Sequence, residues 1–269
     1  MIDAPLVVSS YTLGTQVGFE DRVRAAAAAG YDGIGLRAEN YWDAGLDDAT
    51  MLAVAQRHGV RILEVEYLTG WGTPADRDEA QQDKERTVFH MARAFGVRHL
   101  NAGLLERLPA DTMVEAFAAL CERAGPDLSV ALEFMPYSGV PDLVTAWRIV
   151  QGVPNATLIV DGWHWARAGQ TAADLDGVPA QRIVSVQLCD VLAEPMQPPR
   201  AESLGHRLPP GQGYGDTAGL VRALVAHGVT PAVMAVEVIS DELVARGVEV
   251  AARVTADAAR EVLAQAGVA

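Results

Sequence analysis

The chain has 269 residues, half of them hydrophobic and only 21% charged, a composition with ample apolar surface to bury and no case for disorder. Its formal net charge of −14 opposes the phosphate contacts that nucleic-acid binding needs. The two cysteines, Cys121 and Cys189, stand far apart without Cys-x-x-Cys spacing, which excludes a disulfide framework or a thiolate metal cluster and fits a reducing compartment. Met1-Ile2-Asp3-Ala4-Pro5 lacks a basic start followed by a long apolar stretch, and no later run is long enough to cross a bilayer. These features predict a cytoplasmic protein with no membrane or nucleic-acid partner.

In chain order, short β-branched apolar runs alternate with longer segments of helical period, the mark of βαβ units on a parallel sheet. Strands are expected at Leu6–Ser10, Gly33–Arg37, Arg61–Tyr67, Arg98–Asn101, Ser129–Phe134, Thr157–Asp161, Ile183–Leu188 and Ala232–Val238. Helices are expected at Phe19–Ala29, Asp47–Arg57, Gln81–Phe95, Asp111–Ala124, Val140–Val150 and Asp216–Ala226, and a last one runs from Glu242 to Gln265. Gly30, Gly59, Gly96 and Gly228 each follow a helical run and precede an apolar or aromatic residue, where glycine serves the left-handed helix end. Eight such units, without a Gly-x-Gly-x-x-Gly after the first strand, predict an α/β fold, a single (β/α)8 TIM barrel over residues 1–269. The segment from Val191 to Gly215 is out of scale for a connection and is expected to be functional or mobile.

A barrel builds its active site at the C-terminal strand ends, so polar residues that interrupt those ends are the candidates. Glu133, Asp161, Gln187 and Glu237 do so on the last four strands. Three carboxylates converging in a partly dry site repel one another unless a cation neutralises them. The oxygen ligands favour one divalent metal ion, Mn²⁺ or Mg²⁺, with Co²⁺ or Zn²⁺ also admissible. A metal that chelates a carbonyl and an adjacent hydroxyl acidifies the intervening C–H, and Glu133 and Glu237 are placed to take and return the proton through an enediolate.

Weaker candidates surround this set. Arg37 and Glu66 end strands two and three, where they either contact substrate or form a rim ion pair; Glu64 shares the face of Glu66. Trp71, Trp163 and Trp165 follow strands and either wall a pocket or pack in the core. Arg200, His206 and Arg207 form a basic cluster in the long connection, which either closes over an anionic substrate group or stays solvated. His99 and His90 read as scaffold.

The stretches Ala131-Leu132-Glu133-Phe134, Asp161-Gly162-Trp163-His164, Val186-Gln187-Leu188-Cys189-Asp190, Pro210-Gly211-Gln212-Gly213 with Gly215-Asp216, and Val236-Glu237 resemble the xylose-isomerase-like TIM-barrel superfamily. That group includes sugar-phosphate isomerases and epimerases, hydroxypyruvate isomerases, inosose-converting enzymes and 3-dehydroshikimate dehydratases. The resemblance spans nearly the whole chain, with its sharp motifs after residue 130. It implies that Glu133, Asp161, Gln187 and Glu237 ligate the metal, that His164 faces substrate or supports a ligand, and that homo-oligomers form. Many members have histidine where this chain has Gln187, and glutamine matches hydroxypyruvate isomerases and some dehydratases.

The expected activity is a metal-dependent isomerase or epimerase of a small sugar, sugar acid or cyclitol ketone. A lyase resembling 3-dehydroshikimate dehydratase would use the same metal to eliminate water. A metal-binding barrel without turnover is the non-enzymatic alternative. An endonuclease-IV-like enzyme would need more histidine ligands than His90 and His99, the two that lie between residues 59 and 163.

Overall fold

The computed structural model describes residues 4–75 and 77–268. The expectations for Met1, Ile2 and Asp3 lie outside the described residues. Eight parallel strands close into a barrel in sequence order, β1 pairing with both β2 and β8. They are β1 (Leu6–Val8), β2 (Gly33–Arg37), β3 (Arg61–Leu68), β4 (His99–Ala102), β5 (Ser129–Glu133), β6 (Ala156–Asp161), β7 (Ile183–Leu188) and β8 (Val233–Val236). The expected fold is therefore present.

The helices between them are α1 (Phe19–Ala28), α2 (Ala38–Ala44), α3 (Asp48–Arg57), α4 (Glu79–Phe95), α5 (Ala110–Ala124), α6 (Leu143–Val150), α7 (Gly162–Arg167), α8 (Pro199–Gly205), α9 (Thr217–Ala226), α10 (Asp241–Ala245) and α11 (Val248–Gln265). Their starts are chemically defined. Asp47, Asp78 and Asp142 accept hydrogen bonds from the backbone N–H groups of Thr50, Gln81 and Thr145 at 2.7–2.8 Å, satisfying donors that have no partner within the helix. Gly59 and Gly96 follow α3 and α4 with φ of 71° and 69°, as their place in the sequence predicts.

Three expectations are corrected. The last helix is two helices, because Gly247 takes φ 94° between α10 and α11 and turns the chain. The long connection is not one extended loop: it contains α8 and pairs with the barrel rim through Asp190 with Leu208 and His206 with Ser240. Strand eight stops at Val236, two residues early, although Glu237 N–H still donates to the carbonyl of Leu188 at 3.2 Å.

The apolar core lies mainly between the barrel wall and its helices, in residues such as Ile34, Leu36, Leu100, Phe117, Leu132 and Val160. Inside the barrel the filling differs from the bulky branched residues usual there. Glu64 on β3 is fully buried and reaches the Ser185 hydroxyl of β7, a strand that is not its neighbour. Ala131, Ser185 and Ala235 stand two positions before Glu133, Gln187 and Glu237, so the same pleat faces carry small residues lower in the barrel.

Candidate metal and active site

The register of β5 to β8 brings the late polar residues to one level. Asp161 pairs directly with Gln187, and Glu133 with Ile159, while Glu237 follows β8 by one residue. All four are buried, with 0–6% exposure. Asp161 has a second task as the N-cap of α7, its Oδ1 accepting the His164 N–H at 2.9 Å. Three residues into α7, the His164 side chain returns to the same place, with Nε2 3.7 Å from Glu133 Oε1. One ligand atom each from Glu133, Asp161 and His164 lies within 4.8 Å of the others. His164 is thus a member of a group that could hold a metal, whereas the sequence reading has it facing substrate or supporting a ligand.

The residue that sequence reasoning misplaced is Arg207. Of the basic cluster, Arg200 and His206 are exposed, but Arg207 is 2% exposed and enters the site. Its Nη1 donates to Asp161 Oδ2 at 2.8 Å and to Glu237 Oε2 at 3.1 Å. Its Nε and Nη2 donate to the carbonyl and hydroxyl of Ser203 at 2.8 and 3.1 Å, one helical turn earlier on α8. The spacing Ser203 to Arg207 was the available signal, but nothing in a non-repeating segment showed which cation turned inward.

Other groups complete the lining. Glu237 Oε1 and Glu66 Oε2 both lie within reach of the Ser9 hydroxyl, at 3.2 and 3.1 Å, and Glu66 also accepts from the Ser10 hydroxyl at 2.7 Å. A side chain at Gly35 would place Cβ 1.7 Å from Glu66 Oε1, so glycine there makes room for that carboxyl. Cys189 Sγ lies 3.5 Å from Asp161 Oδ2. Arg37 sits at the end of β2, its guanidinium 4.9 Å from the centre of the Tyr11 ring and its Nε donating to Asn40 at 3.2 Å. It forms no ion pair with Glu66 among the described residues. Trp71 lies against Phe117 of α5, with ring centres 5.3 Å apart, and Trp163 donates from Nε1 to Glu202 at 3.2 Å; both are core-packed. Trp165 is likewise buried, while His90 is half exposed and holds Asp48.

Burial sets the protonation of this cluster. It pushes Glu133 well above the ordinary carboxylate range, helped by the charges of Glu237 and Asp161. Burial also raises Glu237 to about 7 against the pull of Arg207, and raises Glu66 to about 8 with help from Glu237 and Glu64. The same desolvation lowers His164 to about 3, so its imidazole is neutral at physiological pH and has a lone pair to offer.

One guanidinium cannot balance three carboxylates. Glu133 Oε1 and Gln187 Oε1 are buried oxygens without hydrogen-bond partners, and burying such acceptors is costly unless a water or a cation meets them. The donor set, carboxylate and amide oxygens with a neutral imidazole, suits a divalent ion. The residues present therefore fit a metal.

The family model described as xylose isomerase-like TIM barrel matches residues 23–265. Among solved structures, a xylose isomerase-like TIM barrel/4-hydroxyphenylpyruvate dioxygenase fusion protein superposes with a TM-score of 0.87 at 19% identity, covering 98% of this chain. This chain spans 43% of that fusion protein. The IolI protein with a bound zinc atom gives 0.84 at 20% identity, covering 97% of this chain and 98% of that one. The probable 3-DHS dehydratase AsbF from Bacillus anthracis, involved in petrobactin synthesis, gives 0.75 at 12% identity, covering 95% and 98%. No curated protein matches the sequence. No helix among the described residues is long and apolar enough to cross a membrane. With the family model covering most of its length and the barrel closed as the family requires, this chain belongs to the xylose isomerase-like TIM-barrel family.

Proposed function

We propose that the protein is a divalent-metal-dependent isomerase or epimerase of a small hydroxy-carbonyl compound, a sugar, sugar acid or cyclitol ketone. The observation that carries this reading is the pair Glu133 and Glu237, two buried carboxyls that meet at one cluster, Glu133 3.7 Å from His164 and Glu237 3.1 Å from Arg207. Two carboxyls at one site are suited to take a proton from carbon and give it back.

Glu133, Asp161, Gln187, His164 and Glu237 supply the donors for the metal. A divalent ion held by these residues would supply Lewis acidity, which favours loss of a proton from carbon next to a carbonyl. Glu133 and Glu237 then divide the removal and return of the proton. Return to the neighbouring carbon gives isomerisation, and return to the opposite face gives epimerisation. Arg207 holds Asp161 and Glu237 in place, and Ser9 orients the second oxygen of Glu237. Arg37, backed by Tyr11 and Asn40, is the cation left for an anionic or hydroxylated substrate end. Mn²⁺ or Mg²⁺ suits the oxygen donors, while the histidine and the zinc in IolI also favour Zn²⁺.

The same site serves a lyase that expels a hydroxyl next to the deprotonated carbon, and the fold shared with AsbF supports that second reading. Metal analysis of the purified protein, paired with a deuterium wash-in screen in D₂O over keto-sugars, hydroxypyruvate and 3-dehydroshikimate, separates the two. Wash-in beside a carbonyl without new ultraviolet absorbance supports the isomerase or epimerase. New absorbance with 3-dehydroshikimate selects the lyase. Failure to bind any divalent metal after reconstitution would refute both.

A further inference from the structure

Beneath the candidate site the barrel axis is polar. Glu64 Oε1 lies 2.9 Å from His99 Nε2 and accepts from Ser185 Oγ at 2.7 Å and Asn101 Nδ2 at 3.5 Å, so residues of β3, β4 and β7 meet across the interior. All four are buried, with at most 2% exposure. Yet Glu64 Oε2 and Asn101 Oδ1 have no partner in the protein. Two unpaired acceptors in one small region would cost about 1–3 kcal/mol each if left dry, and native proteins meet such groups with ordered water. The small residues Ala131, Ser185 and Ala235 stand where bulky aliphatic side chains usually fill a barrel.

The two ends of this polar column differ. Its upper end is Glu66, two residues along β3 from Glu64 and on the same face, whose Oε1 is also unpartnered. Its lower end is His99, the first residue of β4, which lines a depression of about 890 Å³ at the N-terminal mouth together with Arg61, Leu63, Arg98 and Val233. Glu66 and the Glu64 group thus stand at successive levels of one face, each with an unpartnered oxygen and with no direct hydrogen bond between them among the described residues, and His99 carries the lower group to the mouth.

We propose that Glu64, Asn101, Ser185 and His99, with the water they hold, form a proton route along the barrel axis that connects the floor of the site with solvent at the N-terminal mouth. The proposal rests on the enolising reaction proposed above and adds where its proton goes while substrate covers the C-terminal entrance. In the relay Glu64 starts as the neutral acid with its proton on Oε1 toward His99, gives that proton to Nε2 and takes another from column water at Oε2. The imidazole accepts at Nε2 and releases the proton of its other nitrogen to the mouth, so each group ends with the number of protons it began with. Glu64 and His99 are positioning residues, since neither reaches the reacting atoms.

The test has two arms. A high-resolution crystal structure of the full chain should show ordered water within hydrogen-bond distance of Glu64 Oε2 and Asn101 Oδ1, and finding both atoms paired only with protein groups would overturn the column. In D₂O, using whichever probe of the screen above shows wash-in, Glu64→Gln and His99→Gln should lower the ratio of solvent deuterium incorporated to substrate converted by several-fold, with conversion itself less affected. Ser185→Ala, a milder change, should lower the same ratio by a smaller factor. A ratio equal to that of the unaltered protein in all three variants would overturn the route, whereas a purely structural loss would lower conversion and leave the ratio unchanged. Should the unaltered protein show no wash-in with any probe, the proposed reaction fails, and the crystallographic arm still decides the column.

Discussion

Replacing Arg207 by methionine removes the one guanidinium inside the cluster while keeping most of its apolar volume. Its Nη1 lies 2.8 Å from Asp161 and 3.1 Å from Glu237, and all three side chains are at least nine-tenths buried. Removing one partner of a buried ion pair typically costs about 3–5 kcal/mol. Asp161 keeps the His164 N–H as a donor, which places the loss near the lower end, about 3 kcal/mol. At roughly 2–4 °C per kcal/mol for a domain somewhat smaller than this one, Tm should fall by on the order of 10 °C. The loss comes from unbalanced negative charge, so two treatments should restore it: excess Mn²⁺, which supplies the missing positive charge, and a fall from pH 8 to pH 6, which completes the protonation of Glu237 once the pull of Arg207 on its carboxyl is gone. Urea unfolding at both pH values, with chelator and with metal, gives the four numbers needed. The same loss in all four conditions would show that Arg207 acts through packing on Trp163 and Ser203, and the electrostatic account of the site would be refuted.

The remaining predictions concern the surrounding residues. Glu133→Gln and Glu237→Gln should each reduce turnover by about 10²- to 10⁴-fold with far-ultraviolet circular dichroism unchanged. For the metal-free protein, Glu66 rises from 4.5 to about 8, so its share of stability is lost as pH climbs through that window. His164 falls from 6.5 to about 3, so its share is lost as pH drops below 6.5. Glu133 and Glu237, also raised, add to the alkaline loss and outweigh His164, so chelated protein should be most stable near pH 4.5, and Glu66→Gln should make the alkaline decline shallower, as chemical unfolding across pH will show. Gly35→Ala drives a methyl group into Glu66 and should cost about 1–3 kcal/mol, measured by urea midpoint. Arg200→Ala, at an exposed position, should change stability by less than about 0.5 kcal/mol, and a large loss of turnover in it would return that residue to the site.

How much of this was legible depended on repetition. Glu133, Asp161, Gln187 and Glu237 are visible because each interrupts an apolar run at the place where a barrel strand ends, and the period of two fixes the side they face. Gly247 was written in the sequence but lies between two stretches of helical period, so the pattern read through it. Arg207 belongs to a segment used once, where no periodicity tells inside from outside; Arg200 and His206, equally basic, point to solvent. Ser9 and Cys189 pass for ordinary strand-end residues until the barrel closes, because their partners lie 228 and 28 residues away. The helix start at Asp161 was likewise hidden, since α7 has only six residues.

The segment after β7 is held by two buried carboxylates. Asp190 takes the N–H groups of Val191 and Gly215 on one oxygen, at 2.9 and 2.6 Å, and the N–H of Gly211 with the hydroxyl of Thr217 on the other, at 3.0 and 3.2 Å. Glu202 does the same for the first half, accepting from Met196, Leu192 and Trp163 as well as Arg167. The conformational entropy of these residues is therefore surrendered when the chain folds, not when a ligand arrives. Arg207 waits already aimed, and substrate association should carry the modest heat-capacity change of a preformed cavity, without the larger one that accompanies ordering of a flap.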